Sequence, residues 1–545
     1  MAATSVNLDA LIPREDFETA SSETATNPSN LGNTMRVTDL GPDSLWYNVL
    51  RKPDFQRETA NWTPEKIAEL VSSFLEGDLI PAVILWRSPT TGNLFVIDGA
   101  HRVSALIAWL HDDYGDGVVS RRFFEDSIPS EQLKAASATR ALIAERVGSY
   151  ADLTMALRNP DRTSKERLNL ARNMTAFALT VQWVLGGAEK AETSFFKINQ
   201  QAALINNIEL DMIKARRKPN AVAARAFIRA GTGHKYWSTF DDATKSEIES
   251  IAKEVYDLIF TPDLDTQIRT SDLPAAGRGY SADSIQMLFE LVNFVNELSP
   301  DMWRQASLSK RSSTKNAARR PLEDDIDGQS TITFMRRVKR ATSRVVGKHP
   351  GSLGLHPAVY FYSATGRFQA SAFLAAIAFT RELEESRAFD KFTRVRMDFE
   401  EFLVEHQYFL NQIVQRFGSF MRSVPTIMSL YRAIFQALLE GRPRNDIFLQ
   451  LTAERPYLKG MTEEDRSHRR NFSANTKNAT VLRNVLGSAP RCGICGARVN
   501  LRSMTIDHVE RREDGGSGTE ENAQLSHPYC NSGYKEGLHA ARMKD

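Results

Sequence analysis

Cys492-Gly-Ile-Cys495, Asp507-His508, Gly515-Gly516, Asn522, His527-Pro-Tyr-Cys530 and Asn531 follow one another near the end of the chain. Their reading decides how the rest is divided. Cys492 and Cys495 form one pair of metal-ligating side chains, and His527 and Cys530 form a second at the same spacing. Such a pair lets both members of one turn reach the same ion, and zinc takes four such ligands tetrahedrally. A module of about 55 residues builds little core, so the ion would supply much of its folding energy. A ribbon that only staples needs nothing between the pairs. Here Met504-Thr-Ile-Asp507-His508 reads as a short strand ending in two polar groups, with Asn522 and Asn531 beyond it.

The remainder is ordinary in composition. A chain of 545 residues exceeds one core, so several domains are expected. Its 42% hydrophobic and 25% charged residues are those of a globular protein, and a net charge of +2 advertises no global basic field. Any surface for a polyanion must come from local clustering. No apolar run is long enough for a membrane span, and the start has no secretory pattern, which predicts a cytoplasmic protein. All 3 cysteines lie in the C-terminal motif, as metal ligation in a reducing compartment requires.

Working outward, the expected architecture is α+β and multidomain. Residues 1–40, rich in Ser, Thr, Ala and Asn, are expected as a flexible tail. Thr63-Pro64 reads as an N-cap with proline at the first helical position, followed by Ile67, Leu70, Val71, Phe74 and Leu75 at helical spacing. Pro81–Trp86 and Leu94–Ile97 read as strands around a Thr91-Gly92-Asn93 turn. Asp98-Gly99 ends the second, and Ala100–Leu110 is helical. Residues 41–215 form the front domain, 216–455 a mainly helical one, 456–490 a linker and 491–545 the finger. Ser307–Arg320 is expected as an exposed basic loop. Arg336, Arg337, Lys339, Arg340, Arg344 and Lys348 form either a phosphate-tracking stripe or a solvated helix surface. Phe373, Leu374, Ile377, Phe379, Phe399, Phe402, Leu403, Phe409 and Leu410 read as buried helix faces.

The C-terminal set resembles the HNH endonucleases, with their ββα-metal fold. The resemblance covers about 491–540. It implies that His508 activates water as general base, that Asp507 and Asn531 hold a catalytic magnesium or manganese ion, and that Asn522 fixes the loop and orients the His508 ring. Cys492, Cys495, His527 and Cys530 would hold structural zinc. His-x-x-Cys replaces the usual second Cys-x-x-Cys, Asn531 stands for the last His, and Lys535 lies one residue further from Asn531 than is usual.

At the front, Pro53-Asp-Phe-Gln56-Arg57, Trp62, Ile80-Pro81 and Asp98-Gly-Ala-His101-Arg102 form a second ordered set. A glycine between strand and helix offers free N–H groups to an anion, and arginines add charge. The set resembles the ParB/sulfiredoxin-like domain of GmrSD-like restriction and phage-defence proteins, whose hallmark is D-G-Q-Q-R or D-G-Q-H-R. Here Ala100 replaces the first Gln. Ser194-Phe-Phe-Lys-Ile-Asn199 with Leu204 and Glu209-Leu210 is similar to a later segment of that family, without the glycine that usually follows the Asn. Leu355–Tyr362 resembles a less specific stretch. The resemblance implies a small ParB-like α/β domain in which Gln56, Arg57, Asp98, Gly99, His101, Arg102 and Asn199 line a nucleoside triphosphate site. Arg57 and Arg102 would clamp phosphates, and Asp98 would hold magnesium or position a water.

Together the resemblances imply a metal-dependent endonuclease acting on DNA, modified phage DNA included, gated by a nucleotide- or modification-sensing front domain. Concerted cutting of both strands would call for a homo-oligomer. A non-cleaving, nucleotide-switched DNA-binding protein with a structural finger is a rival reading, and an RNA-targeting nuclease is another.

Overall fold

The computed structural model describes residues 5–17, 32–56, 59–60, 62–126, 128–202, 207–264, 268–279, 282–303, 321–460 and 472–537. They divide into two compact units, the first mainly residues 1–226 with 231–245 and 299–328, the second mainly 246–298 and 329–545.

The first unit is built on a six-stranded mixed sheet. Its strands are β1 (Arg14–Glu15), β2 (Thr34–Arg36), β3 (Leu50–Pro53), β4 (Val83–Arg87), β5 (Leu94–Asp98) and β6 (Ala178–Trp183), in the order β1-β3-β5-β4-β6-β2. β4 and β5 pair antiparallel, as their short turn dictates, while β3–β5 and β4–β6 are parallel. The continuous apolar run of β5 follows from burial on both faces. Leu94 and Val96 join the larger core, with α1 (Pro64–Glu76), α2 (Ala100–His111) and α3 (Ser130–Arg146). Phe95 and Ile97 join a smaller one with Phe17, Phe55, Trp86 and Phe195, the last from α4 (Ala188–Ala202). Thr63 caps α1, accepting the Lys66 N–H, with Pro64 first in the helix as expected.

Two expectations change here. Residues 5–17 are not a flexible tail: Val6, Leu8, Leu11, Ile12 and Phe17 are buried, Val6 bridges to Trp62, and β1 lies beside β3. A buried ion cluster pins them, with Asp9 taking the Lys52 ammonium at 2.6 Å and the Arg14 guanidinium at 2.8 Å. β6 is a strand where the sequence reading placed none. It sits between β4 and β2 because Leu179 and Val181 alternate into the core while Thr180 and Gln182 face out.

The second unit is helical until its last part. Its helices include α5 (Gln329–Val346), α6 (Ala370–Glu385), α7 (Phe389–Glu405), α8 (Val424–Leu439) and α9 (Ala474–Gly487), each of which contributes to the core. Phe373, Leu374, Ile377 and Phe379 of α6 and Phe399, Phe402 and Leu403 of α7 are buried, as their spacing predicts. The unit ends in the antiparallel pair β7 (Thr505–His508) and β8 (Ala523–Ser526), followed by a π-helical turn at Cys530–Tyr534. Part of the expected linker is helix: α9 begins at Ala474, capped by Ser473.

Candidate functional site

Cys492, Cys495, His527 and Cys530 come together with their ligand atoms within 4.8 Å of one another. His527 turns Nδ1 toward the sulfurs, 3.4 Å from Cys495 and 3.6 Å from Cys530, and its Nε2–H meets the Arg498 carbonyl at 2.9 Å. That outer bond fixes the tautomer that leaves Nδ1 free to ligate. Hydrogen bonds from the Cys495 and Cys530 thiols hold the Cys492 thiol far below its ordinary range. Bonds with Cys492 and Cys495 push Cys530 up, and the bond with Cys492 leads in raising Cys495 to about 12. Crowded thiols compete for one negative charge, and a divalent ion removes the competition by taking every thiolate. Three sulfurs and one imidazole are a donor set that suits zinc.

Beneath this cluster lies α7. Arg396 and Glu400 are wholly buried and paired at 2.8 Å, and Arg396 also donates to the Leu353 and Gly354 carbonyls at 2.5 and 3.3 Å. Glu400 accepts the Arg498 backbone N–H at 2.9 Å and the Tyr360 hydroxyl at 3.2 Å. Arg498 in turn reaches Glu401 and the Leu486 carbonyl, and Tyr529 donates to Asp390 at 2.6 Å. The finger is therefore seated on the helices of its own unit and does not hang from a hinge at 474–490.

β7 sets the polar pair by alternation. Asp507 points inward with its side chain 5% exposed, while Ile506 and His508 face outward. The His508 ring is half-buried and, among the described residues, has no hydrogen-bond partner. The Asp507 carboxylate is taken by the Lys535 ammonium at 3.1 and 3.0 Å and by Gln524 Nε2 at 2.8 Å, and Lys535 also donates to the His508 carbonyl. Asn531 lies against the same strand, its amide donating to Thr505 Oγ1 and the Ile506 carbonyl at 3.4 Å each. Asn522 clamps the intervening loop: its side chain accepts the Glu510 N–H at 2.7 Å and donates to the Glu510 and Ser517 carbonyls at 3.0 and 2.7 Å. Its own carbonyl accepts the Val509 N–H at 2.8 Å. Gln524, Lys535, Arg396 and Glu400 were not foreseen as parts of this site. Of these, Lys535 stood out most plainly in the sequence, as a misplaced member of the motif.

In the first unit, Asp98, Gly99, His101 and Arg102 occupy the β5–α2 turn. Gln56 follows β3, which runs parallel to β5, so both stretches leave the sheet at the same end. Gly99 adopts φ +94°, and a Cβ there would lie 3.0 Å from the Arg102 guanidinium and 3.2 Å from Val83, so the turn requires glycine. Arg102 is held by Asp98 at 2.8 Å and by the Ala82 carbonyl at 3.1 Å. The His101 ring stacks on Trp62 at 5.6 Å. Gln56 is buried, and its carbonyl accepts from Arg14. Arg57 and the side chain of Asn199 lie outside the described residues, as does the basic loop Ser307–Arg320.

On α5, Arg336, Lys339, Arg340 and Arg344 pair with Glu247, Glu254 and Glu384 at 2.5–3.0 Å. These four cations are answered by carboxylates of their own unit, which favours the solvated, ion-paired surface over a phosphate-tracking stripe. No helix among the described residues is long and apolar enough to cross a membrane.

A metal-ligand cluster beside a ββ pair carrying Asp and His defines a ββα-metal nuclease module, which comes after the α/β unit in sequence. Residues 492–536 match the HNH endonuclease family, and residues 43–296 match the GmrSD restriction endonuclease N-terminal domain. No curated protein and no solved structure matches the chain. The chain thus carries, in order, a GmrSD-type front domain and an HNH domain, which together support a nuclease of restriction or phage defence with DNA as its substrate.

Proposed function

We propose that this chain is a divalent-metal-dependent DNA endonuclease whose cutting centre is β7 with the helix after Cys530. The observation that carries the reading is the outward His508 ring beside the inward Asp507 carboxylate, on a strand that Asn531 also touches. A neutral imidazole near pH 7 can take a proton from an attacking water, and His508 is free to turn toward one. Asp507 and Asn531 would hold a magnesium or manganese ion through oxygen. The convergence of Asp507 Oδ1, Asp507 Oδ2 and the His508 carbonyl on one cationic nitrogen fits a hard cation. Such an ion neutralises charge on the phosphoryl group and the leaving oxygen. Asn522 keeps the loop between the strands closed, and zinc on Cys492, Cys495, His527 and Cys530 holds the module to its shape.

For the front domain we propose a nucleoside triphosphate or modified-base site around Gln56, Arg57, Asp98, Gly99, His101, Arg102 and Asn199, with a ParB-like fold, that licenses cutting. Arg102 would have to leave Asp98 to meet a phosphate, so it serves as a sensor before it serves as a clamp. With the finger seated on α7, gating would act on the finger together with its helices. The test is cleavage of plasmid and of modified phage DNA with magnesium, with and without nucleotide, in wild type and His508→Ala. Cutting that is lost in the variant supports the reading, and cutting that survives in a well-folded His508→Ala protein overturns it.

A further inference from the structure

Asp507 is the only acid of β7, and its carboxylate has a cation already. Lys535 Nζ lies 3.1 Å from Oδ1 and 3.0 Å from Oδ2, and it also donates to the His508 carbonyl. An ammonium has three donors, and these three oxygens use them all. Gln524 donates to Oδ2 from the other side at 2.8 Å, so the carboxylate is fixed in place whichever cation it faces. The Lys535 side chain is 18% exposed against 5% for Asp507, so the lysine covers the acid on the solvent side.

The local backbone brings this lysine into reach. Cys530–Tyr534 is wound as a π-turn, and the Lys535 N–H bonds to the carbonyl five residues back, at Cys530. A π-turn holds one more residue than an α-turn, and such bulges occur often at functional sites. The extra residue between Asn531 and Lys535 is therefore absorbed by widening the helix, and Lys535 still arrives over Asp507.

We propose that Lys535 is a tethered counter-cation, which holds the hard-cation position on Asp507 in the metal-free protein and is displaced when the divalent ion binds. The proposal rests on the reading of Asp507 as a metal-holding residue. Its consequence follows from charge. Asp507 and Lys535 together are neutral, so a divalent ion arriving alone meets a departing ammonium of the same sign. A phosphodiester placed between them reverses that repulsion, because ion and ammonium then face the same anion. Metal and DNA would consequently bind cooperatively, each tightening the other by the same factor. The displaced ammonium would remain beside the reacting phosphate as a second positive charge.

The test is manganese titration of the zinc-loaded full chain, followed by electron paramagnetic resonance, without DNA and with an uncleavable phosphorothioate duplex. Wild type, Lys535→Met, Lys535→Gln and Asp507→Asn are compared, with zinc content and thermal unfolding as checks on folding. Without DNA, both lysine variants should bind manganese about tenfold tighter than wild type, and the tightening by DNA should shrink in them. Unchanged or weaker manganese binding in both folded lysine variants, with binding lost in Asp507→Asn, would overturn the counter-cation and leave the metal site standing. Manganese binding that survives in Asp507→Asn would overturn the metal-site reading, and this proposal with it.

Discussion

Arg396 and Glu400, one turn apart on α7, form a wholly buried ion pair at 2.8 Å, and the second oxygen of Glu400 takes the backbone N–H of Arg498 in the finger. A helix almost a hundred positions upstream thus supplies an acceptor that the finger cannot supply for itself. Arg396 also feels the Cys495 and Cys530 thiols. A cluster of one divalent ion and three thiolates carries a net negative charge, and the buried Arg396 guanidinium offsets it.

Glu400→Ala should therefore be severe. It strands the Arg396 guanidinium and removes the acceptor of the Arg498 N–H, a loss on the order of 3–5 kcal/mol for a broken buried pair. Denaturant unfolding measures the stability, and release of zinc to a chelator should be faster. Unchanged zinc retention would show that the finger stands without α7.

His508→Ala should act on chemistry alone. The ring has no described hydrogen-bond partner, so melting temperature and zinc content should hold while cleavage falls by about 10²–10⁴-fold. Single-turnover cleavage on one DNA substrate checks the size of the loss.

Zinc removal should unfold the finger and spare the first unit. Ligation releases protons from thiols, so affinity should fall as pH is lowered. Cys492→Ala should reproduce the chelated state at any pH, with near-native helical signal elsewhere in circular dichroism.

Acid stability should carry the mark of His356. Burial lowers this ring from 6.5 to about 4, outweighing the opposing pull of Glu400. The folded state refuses a proton that the unfolded chain accepts, so stability present above pH 6.5 is lost as pH falls toward 4. The loss should be about 3 kcal/mol, and His356→Leu should flatten the curve in that window. Chemical denaturation at several pH values reads it out.

Asp9→Ala should destabilise the first unit by about 3–5 kcal/mol, because Lys52 and Arg14 would stay buried without their carboxylate. An exposed tail position would give almost nothing, so the same unfolding measurement separates a pinned segment from a loose one.

What could be read in advance was whatever is local. Ligand pairs of fixed spacing, an N-cap followed by proline, and an apolar strand ended by Asp-Gly all announce themselves within a few residues. The metal cluster, α1, β4, β5 and α2 were therefore legible. Elements that depend on distant partners were not. Residues 5–17 look like a polar tail until Asp9 is seen against Lys52, and β6 is too short and too polar on one side to stand out from the helices around it. Arg396 and Glu400 carried a faint trace: a charge pair interrupting the apolar stripe of Phe392, Phe399 and Leu403 asks for a buried reason. The paired state of Arg102 and of the α5 cations was invisible, because composition counts charges and geometry alone matches them.

Recombination offers a last consequence of the bed that α7 provides. A nuclease cassette that swaps freely among proteins should carry its whole electrostatic balance inside its borders, and this one does not. Transplanting residues 491–537 to a foreign scaffold would leave the Arg498 amide and the thiolate cluster without Glu400 and Arg396. The finger and the upstream helix belong together in any exchange, and an enzyme engineer should not cut before Arg491.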